Sequence, residues 1–165
     1  MERRFLFLAL AAVCSAAALA QATDPEPKTV FGARSLALSP DGSRLAFSWR
    51  GDLWTAPSEG GSAQQLTSHV EMEDNPNFSP DGKWIAFTSN RFGQNDLFVI
   101  PTGGGTPRRI TYHPGSESLG GWSPDSKRLV FSASREGTEG GIFAIDIQTL
   151  DLKLLLLDNR SVGNA

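Results

Sequence analysis

Asn77-Phe78-Ser79-Pro80-Asp81-Gly82-Lys83-Trp84-Ile85-Ala86-Phe87-Thr88-Ser89 reads as strand, tight turn, strand. Pro80 sets φ near the value needed at a turn's second position, and Asp81 can fold its carboxylate onto nearby backbone N–H groups. Gly82 then takes a backbone angle that a residue with a Cβ resists. Beyond the turn, Trp84, Ala86 and Thr88 alternate with Ile85, Phe87 and Ser89. Both sets are mostly aromatic, β-branched or small, the pattern of a strand buried on both faces.

The unit occurs three times. The other copies are Leu38-Ser39-Pro40-Asp41-Gly42-Ser43-Arg44-Leu45-Ala46-Phe47-Ser48 and Trp122-Ser123-Pro124-Asp125-Ser126-Lys127-Arg128-Leu129-Val130-Phe131-Ser132. Their prolines stand at 40, 80 and 124, intervals of 40 and 44. Asp52-Leu53-Trp54, Asp96-Leu97-Phe98 and Gly141-Ile142-Phe143 recur at 44 and 45, and Gln65-Leu66-Thr67 and Arg109-Ile110-Thr111 are 44 apart. Each of the latter pair follows a Gly-Gly turn, Gly60-Gly61 and Gly103-Gly104. A period of about 40–45 residues carrying four short strands is the signature of propeller blades. The expected fold is therefore all-β: a partial β-propeller of three blades, each of about four antiparallel strands, with the Ser-Pro-Asp turn joining a blade's first two strands.

Around this core the chain divides simply. Residues 1–20 read as an export signal: Arg3 and Arg4 give a basic start, Phe5 to Val13 an apolar run, and Ala18-Leu19-Ala20 a small-residue cleavage site. An uncleaved anchor is the alternative, but the apolar run gives way to small residues before the ~20 residues of a membrane span are reached. Residues 21–34 form an extended, proline-containing lead-in. The blades are expected at 35–68, 69–112 and 113–157, and a polar tail at 158–165. In the first blade the strands are expected at 35–38, 44–49, 52–56 and 63–67; later ones include 96–100, 141–146 and 152–157. Export implies a periplasmic or extracellular location.

Cys14 is the only cysteine and lies in the signal, so the mature chain must hold together without disulfides. Its predecessors Ala12-Val13 lack the small residue expected before a lipidated cysteine. Removing Glu2, Arg3 and Arg4, which sum to +1, takes the formal charge from −3 to −4. Mild acidity without clustered Lys or Arg argues against nucleic acid or anionic membrane as partner.

No catalytic, cofactor-binding or metal-binding residue is assigned, and no cofactor is expected. Gly115-Ser116-Glu117-Ser118-Leu119-Gly120 has the wrong spacing for a nucleophile elbow. His69 and His113 occupy equivalent positions after Leu66-Thr67 and Ile110-Thr111, so a repeated loop role explains them better than catalysis or a metal. Glu71, Glu73 and Asp74 form an acidic loop able to hold a peptide amine or a cation, against the simpler reading of a solvated loop. Asp41, Asp81 and Asp125 read as turn-formers. Gly103-Gly104-Gly105-Thr106 lacks the lysine and spacing of a phosphate loop, and Asn159-Arg160-Ser161 matches a short glycosylation pattern.

The Ser-Pro-Asp-Gly turn, the aromatic strand after it, Asp-Leu-Trp/Phe, Gly-Gly and Leu/Ile-Thr resemble the WD40-like repeats of TolB, tricorn-type proteases and prolyl-oligopeptidase relatives. Three pieces look closest to the N-terminal propeller of tricorn-type serine proteases. They are Trp49-Arg50-Gly51-Asp52-Leu53-Trp54 with Glu59-Gly60-Gly61, then Gln65-Leu66-Thr67-Ser68-His69, then Arg109-Ile110-Thr111-Tyr112-His113-Pro114-Gly115 leading to Gly121-Trp122-Ser123-Pro124. The resemblance implies a non-catalytic propeller that binds or channels peptides toward a serine-peptidase domain. TolB-like repeats imply instead a protein-interaction module without an enzymatic parent; TolB places an α/β domain ahead of its propeller, and only about fifteen residues precede the first strand here. No family catalytic residue falls on this sequence.

Three blades leave a physical difficulty. A blade is apolar on both faces, and closed propellers have about 4–8 blades. The expected partners are thus a peptide or protein ligand together with missing blades or a catalytic domain, supplied by further sequence or by another chain. Self-association through the open faces is a further expectation.

Overall fold

The computed structural model describes residues 30–135 and 140–157. The signal, most of the lead-in, the 158–165 tail, Cys14 and the Asn159 pattern lie outside the described residues.

The described chain forms twelve strands and three four-stranded antiparallel sheets. The first sheet holds β1 (Arg34–Leu38), β2 (Arg44–Trp49), β3 (Asp52–Pro57) and β4 (Gln64–Gln65), in sequence order. The second holds β5 (Glu73–Phe78), β6 (Trp84–Ser89), β7 (Asp96–Pro101) and β8 (Arg108–Arg109). The third holds β9 (Glu117–Trp122), β10 (Arg128–Ala133), β11 (Gly141–Asp146) and β12 (Leu152–Leu157). Strand order within each sheet follows chain order, and β5 lies against β1 on one side and β9 on the other. This is a partial, unclosed all-β propeller. Among the described residues no helix is long and apolar enough to cross a membrane.

Each Ser-Pro-Asp turn joins the first two strands of its sheet, for a reason visible in its atoms. The Ser39, Ser79 and Ser123 hydroxyls each donate to the aspartate two residues on at 2.6 Å. Each hydroxyl in turn accepts the N–H of Arg44, Trp84 or Arg128 at 2.9–3.0 Å, closing the hairpin. Gly42 and Gly82 sit at φ 74° and 71°, and Ser126 takes the same left-handed position at φ 60° in the third copy.

The strand registers superpose. Phe47 pairs with Trp54, Phe87 with Phe98, and Phe131 with Phe143, at the same place in each sheet. Two cores result, one at each junction between sheets. Ala46 and Leu53 of the first sheet meet Phe78, Ile85, Phe87 and Phe98 of the second. Leu97, Val99 and Ile110 of the second meet Leu129, Phe131 and Phe143 of the third. Small or aliphatic side chains thus leave one blade, and larger, often aromatic ones receive them from the next.

Two expectations need correcting. The outer strand expected at 63–67 is only β4, Gln64–Gln65. Leu66 leaves the ladder to donate its N–H to the Leu53 carbonyl at 2.8 Å, and the Thr67 hydroxyl accepts the Leu53 N–H at 2.9 Å. The acidic loop of Glu71, Glu73 and Asp74 is not one loop, because Glu73 opens β5 and is buried.

Candidate functional site

Odd-numbered strands begin, and even-numbered strands finish, at one common edge of the three sheets. The loops there run from β2 to β3 and from β4 to the next sheet's first strand. The Ser-Pro-Asp turns and the β3–β4 turns occupy the opposite edge. The two edges differ sharply in chemistry. Of the large hydrophobic side chains exposed outside strands, Phe31, Val70, Met72, Phe92 and Tyr112 all lie at the first edge, and Leu150 alone at the second.

At the centre of that apolar edge is Arg109. Its guanidinium lies 4.1 Å from the ring centre of Phe92 and 4.7 Å from that of Tyr112, and pairs with buried Asp96 at 2.8 Å. Phe92 also stacks on Phe98, with centroids 6.3 Å apart and planes 6° from parallel. The two exposed rings are therefore held in fixed positions on either side of a cation. Rigid aromatic and arginine side chains of this kind are those that anchor polypeptide partners. Sequence reading passed over this group; the visible signal was Arg109 standing where the first repeat has Gln65, flanked by Tyr112 where it has Ser68.

The residues singled out from sequence behave differently. His69 Nδ1 accepts the Glu71 N–H, and His113 Nδ1 accepts the Gly115 N–H, each at 3.0 Å. The two histidines thus brace equivalent loops. The His69 N–H itself donates to Asp52 at 2.8 Å. Glu71 is exposed, and Asp74 accepts the Asn75 N–H at 2.8 Å, so neither converges with Glu73 on a common ligand position. Among the described residues, no group of three or more His, Cys, Asp or Glu side chains is arranged to hold a metal ion.

Glu73 belongs to the junction between blades. Its carboxylate accepts from the Thr67 hydroxyl of the first blade and pairs with Arg91 of the second, while its carbonyl accepts the Ser48 hydroxyl at 2.7 Å. Glu117 repeats the arrangement, pairing with Arg135 at 2.9 Å beside Thr111. Burial pushes both carboxyls above their ordinary value; the threonine hydroxyl and then the arginine pull the other way. These groups seal blade to blade and are closed to a ligand.

At the opposite edge, a shallow open groove between the first two blades is lined by Ser39, Asp41, Arg44, Pro80, Asp81 and Thr102, among others. Its carboxylates are already engaged. The Ser39 hydroxyl foremost, then the Ser43 N–H and hydroxyl, hold Asp41 down to about 2. The Ser79 hydroxyl chiefly lowers Asp81 in the same way. Arg44 spans the groove to the Thr102 carbonyl at 3.3 Å.

A family model described as the tricorn protease N-terminal beta propeller domain matches residues 34–163. Tricorn protease homolog 1 of Streptomyces coelicolor is 39% identical over 54 residues, 33% of this chain and 5% of that protein. Among solved structures, TolB from Acinetobacter baumannii superposes with a TM-score of 0.64 at 22% identity, covering 74% of this chain and 32% of that one. The tricorn protease superposes with a TM-score of 0.62, also at 22% identity, covering 74% of this chain and 13% of that one. The chain thus spans well under half the length of each of these relatives.

Proposed function

The chain belongs to the tricorn protease N-terminal β-propeller family, and from that premise we propose that it is the non-catalytic propeller portion of an exported, tricorn-like serine peptidase. Its role in this reading is to bind peptide or protein substrates and to gate their access to an active site elsewhere. The observation that carries the proposal is the family match across nearly the whole three-sheet region. The Phe92–Arg109–Tyr112 group and its exposed apolar neighbours supply a surface suited to extended chains. The basic start, apolar run and Ala18-Leu19-Ala20 site support export to the periplasm or beyond.

A TolB-like interaction module is the second reading, favoured by the superposition on TolB. Binding separates the two. In the peptidase reading, a fluorescent, fully unfolded polypeptide binds the chain, and Phe92→Ser with Tyr112→Ser weakens it at least about tenfold, two truncated anchors amounting to more than about 1.4 kcal/mol. The bound polypeptide stays intact. Cleavage lost on replacing one serine and either histidine would overturn the non-catalytic assignment. Absence of binding to unfolded chains, with capture of a folded partner at the same edge, would favour the interaction module.

A further inference from the structure

The two blade-to-blade junctions obey one chemical rule, and both unpaired faces obey its complement. At each junction the departing blade presents a threonine and the arriving blade a Glu–Arg pair: Thr67 with Glu73 and Arg91, then Thr111 with Glu117 and Arg135. The first blade's arriving face lacks that pair. Ala33 stands one residue before Arg34, the place Glu73 holds before Asp74 in the equivalent register, and Arg50-Gly51 makes a two-residue turn where the second blade has the longer loop carrying Arg91. The third blade's departing face lacks the threonine. Ile142 pairs with Leu156 where Leu53 and Leu97 meet Thr67 and Thr111.

The apolar positions match as well. Ile142 occupies the register of Leu53 and Leu97, both 0% exposed at the junctions, yet is itself 38% exposed. Leu38 occupies the register of Phe78, which is 8% exposed, yet is 57% exposed. A neighbour bringing a Glu–Arg pair to the third blade would bury its carboxylate against leucine with no hydroxyl to meet it, at a heavy desolvation cost. The first blade's face brings Ala33 and a small turn, and leaves no buried charge unanswered.

We propose that the third blade's departing face binds the first blade's arriving face of a second copy of this chain. The contact is head to tail. Two copies make two identical junctions and six blades, within the range of about 4–8 in which propellers close, so the assembly is a two-fold ring rather than an open fibre.

The test uses the full chain and two single variants, Ile142→Glu on the departing face and Leu38→Glu on the arriving face, followed by sedimentation equilibrium at micromolar concentration. Residues 1–29 are common to all forms, and far-UV circular dichroism with a urea midpoint verifies that each variant is folded. The unmodified chain is expected to be a dimer. Each variant alone is expected to dissociate, its dimer constant weakened at least about a hundredfold by an unpaired charge at the junction. Their equimolar mixture is expected to regain a dimer, because one partner keeps an intact departing face and the other an intact arriving face. A monomeric parent chain overturns the proposal, as do open polymers, variants that still dimerise alone, or a mixture of folded variants that stays monomeric. A variant that does not fold is replaced by Ile142→Ser or Leu38→Ser, and the same mixing result decides.

Discussion

Replacing Arg91 by methionine keeps most of the apolar stem and removes the cation facing Glu73 at the first junction. Glu73 is fully buried and meets only the Thr67 hydroxyl and Arg91 through its carboxylate oxygens among the bonds described. Burial already lifts its carboxyl above the ordinary 4.5, and Arg91 is one of the groups holding it down. Without Arg91 the folded chain must carry an uncompensated buried carboxylate, at about 3–5 kcal/mol, or take up a proton. Protonation sets the ceiling. From the ordinary 4.5, neutralising the carboxyl costs about 3.4 kcal/mol at pH 7 but only about 0.7 kcal/mol at pH 5. Losing the Arg91 contact with the Phe98 ring, at 4.5 Å, adds about 0.5–1 kcal/mol at either pH. The expected deficit is therefore about 3–4 kcal/mol at pH 7 and about 1–1.5 kcal/mol at pH 5.

The sign follows from proton linkage. A carboxyl raised in the folded state contributes stability that is fully present below pH 4.5 and is lost as pH rises through the folded value. Arg91→Met carries that loss further up the pH scale. Urea unfolding at pH 5, 6 and 7 measures it; with a slope of about 2 kcal/mol per molar, the midpoint falls by about 1.5–2 M at pH 7. Asp52 and His69 also act on Glu73, so the series is repeated with His69→Asn, which removes the other group titrating in this range. Adding Glu73→Gln to Arg91→Met should recover most of the loss, because an amide needs no cation. An equal deficit at pH 5 and pH 7, or no recovery in the double variant, would refute this account of the junction.

Two other outcomes are expected. Phe87→Ala empties a fully buried ring that stacks on Phe98 at 5.5 Å in the first core, and should cost about 3–5 kcal/mol in urea unfolding; a loss below about 1 kcal/mol would show that this core does not hold the blades together. Asp41, at about 2, and Asp81 and Asp125, lowered chiefly by the Ser79 and Ser123 hydroxyls, contribute stability that is present above 3.8 and lost as pH falls toward 2. Acid titration of Asp81→Ala and Asp125→Ala should therefore show a shallower loss between pH 4 and pH 2 than the parent, and an unchanged slope would count against the turn mechanism.

The fold was legible because its determinants are local and repeated. A serine hydroxyl that both caps an aspartate and accepts the N–H five residues on needs nothing outside its own turn, so Ser39, Ser79 and Ser123 announce their hairpins in the primary sequence. The outer strand was less legible, since β4 ends where Leu66 turns inward to the Leu53 carbonyl, a contact set by tertiary packing. Glu73 was misplaced for a related reason. Beside Glu71 and Asp74 it reads as one of three surface acids, while the residue that explains it, Arg91, lies in another loop 18 residues away.

The period itself separates the two kinds of residue at the loop edge. Thr67 and Thr111, His69 and His113, Glu73 and Glu117, and Arg91 and Arg135 each recur at 44 residues, and each pair plays one structural part twice. Recurrence at that offset was the available signal for the junction clusters, and it identifies them as parts of the scaffold. The residues that break the period are the ones placed to recognise something. Phe92 has Glu136 at the same offset, while Arg109 and Tyr112 answer to Gln65 and Ser68. A scaffold contact must be made at every junction, so its residues repeat. A contact with a partner is made once, and the aromatic–arginine group is exposed, rigid and present in one blade of the three. By the same reasoning Ala33 and Leu156 break the rule at the two unpaired faces because what meets them is not the repeat's usual neighbour but its complement.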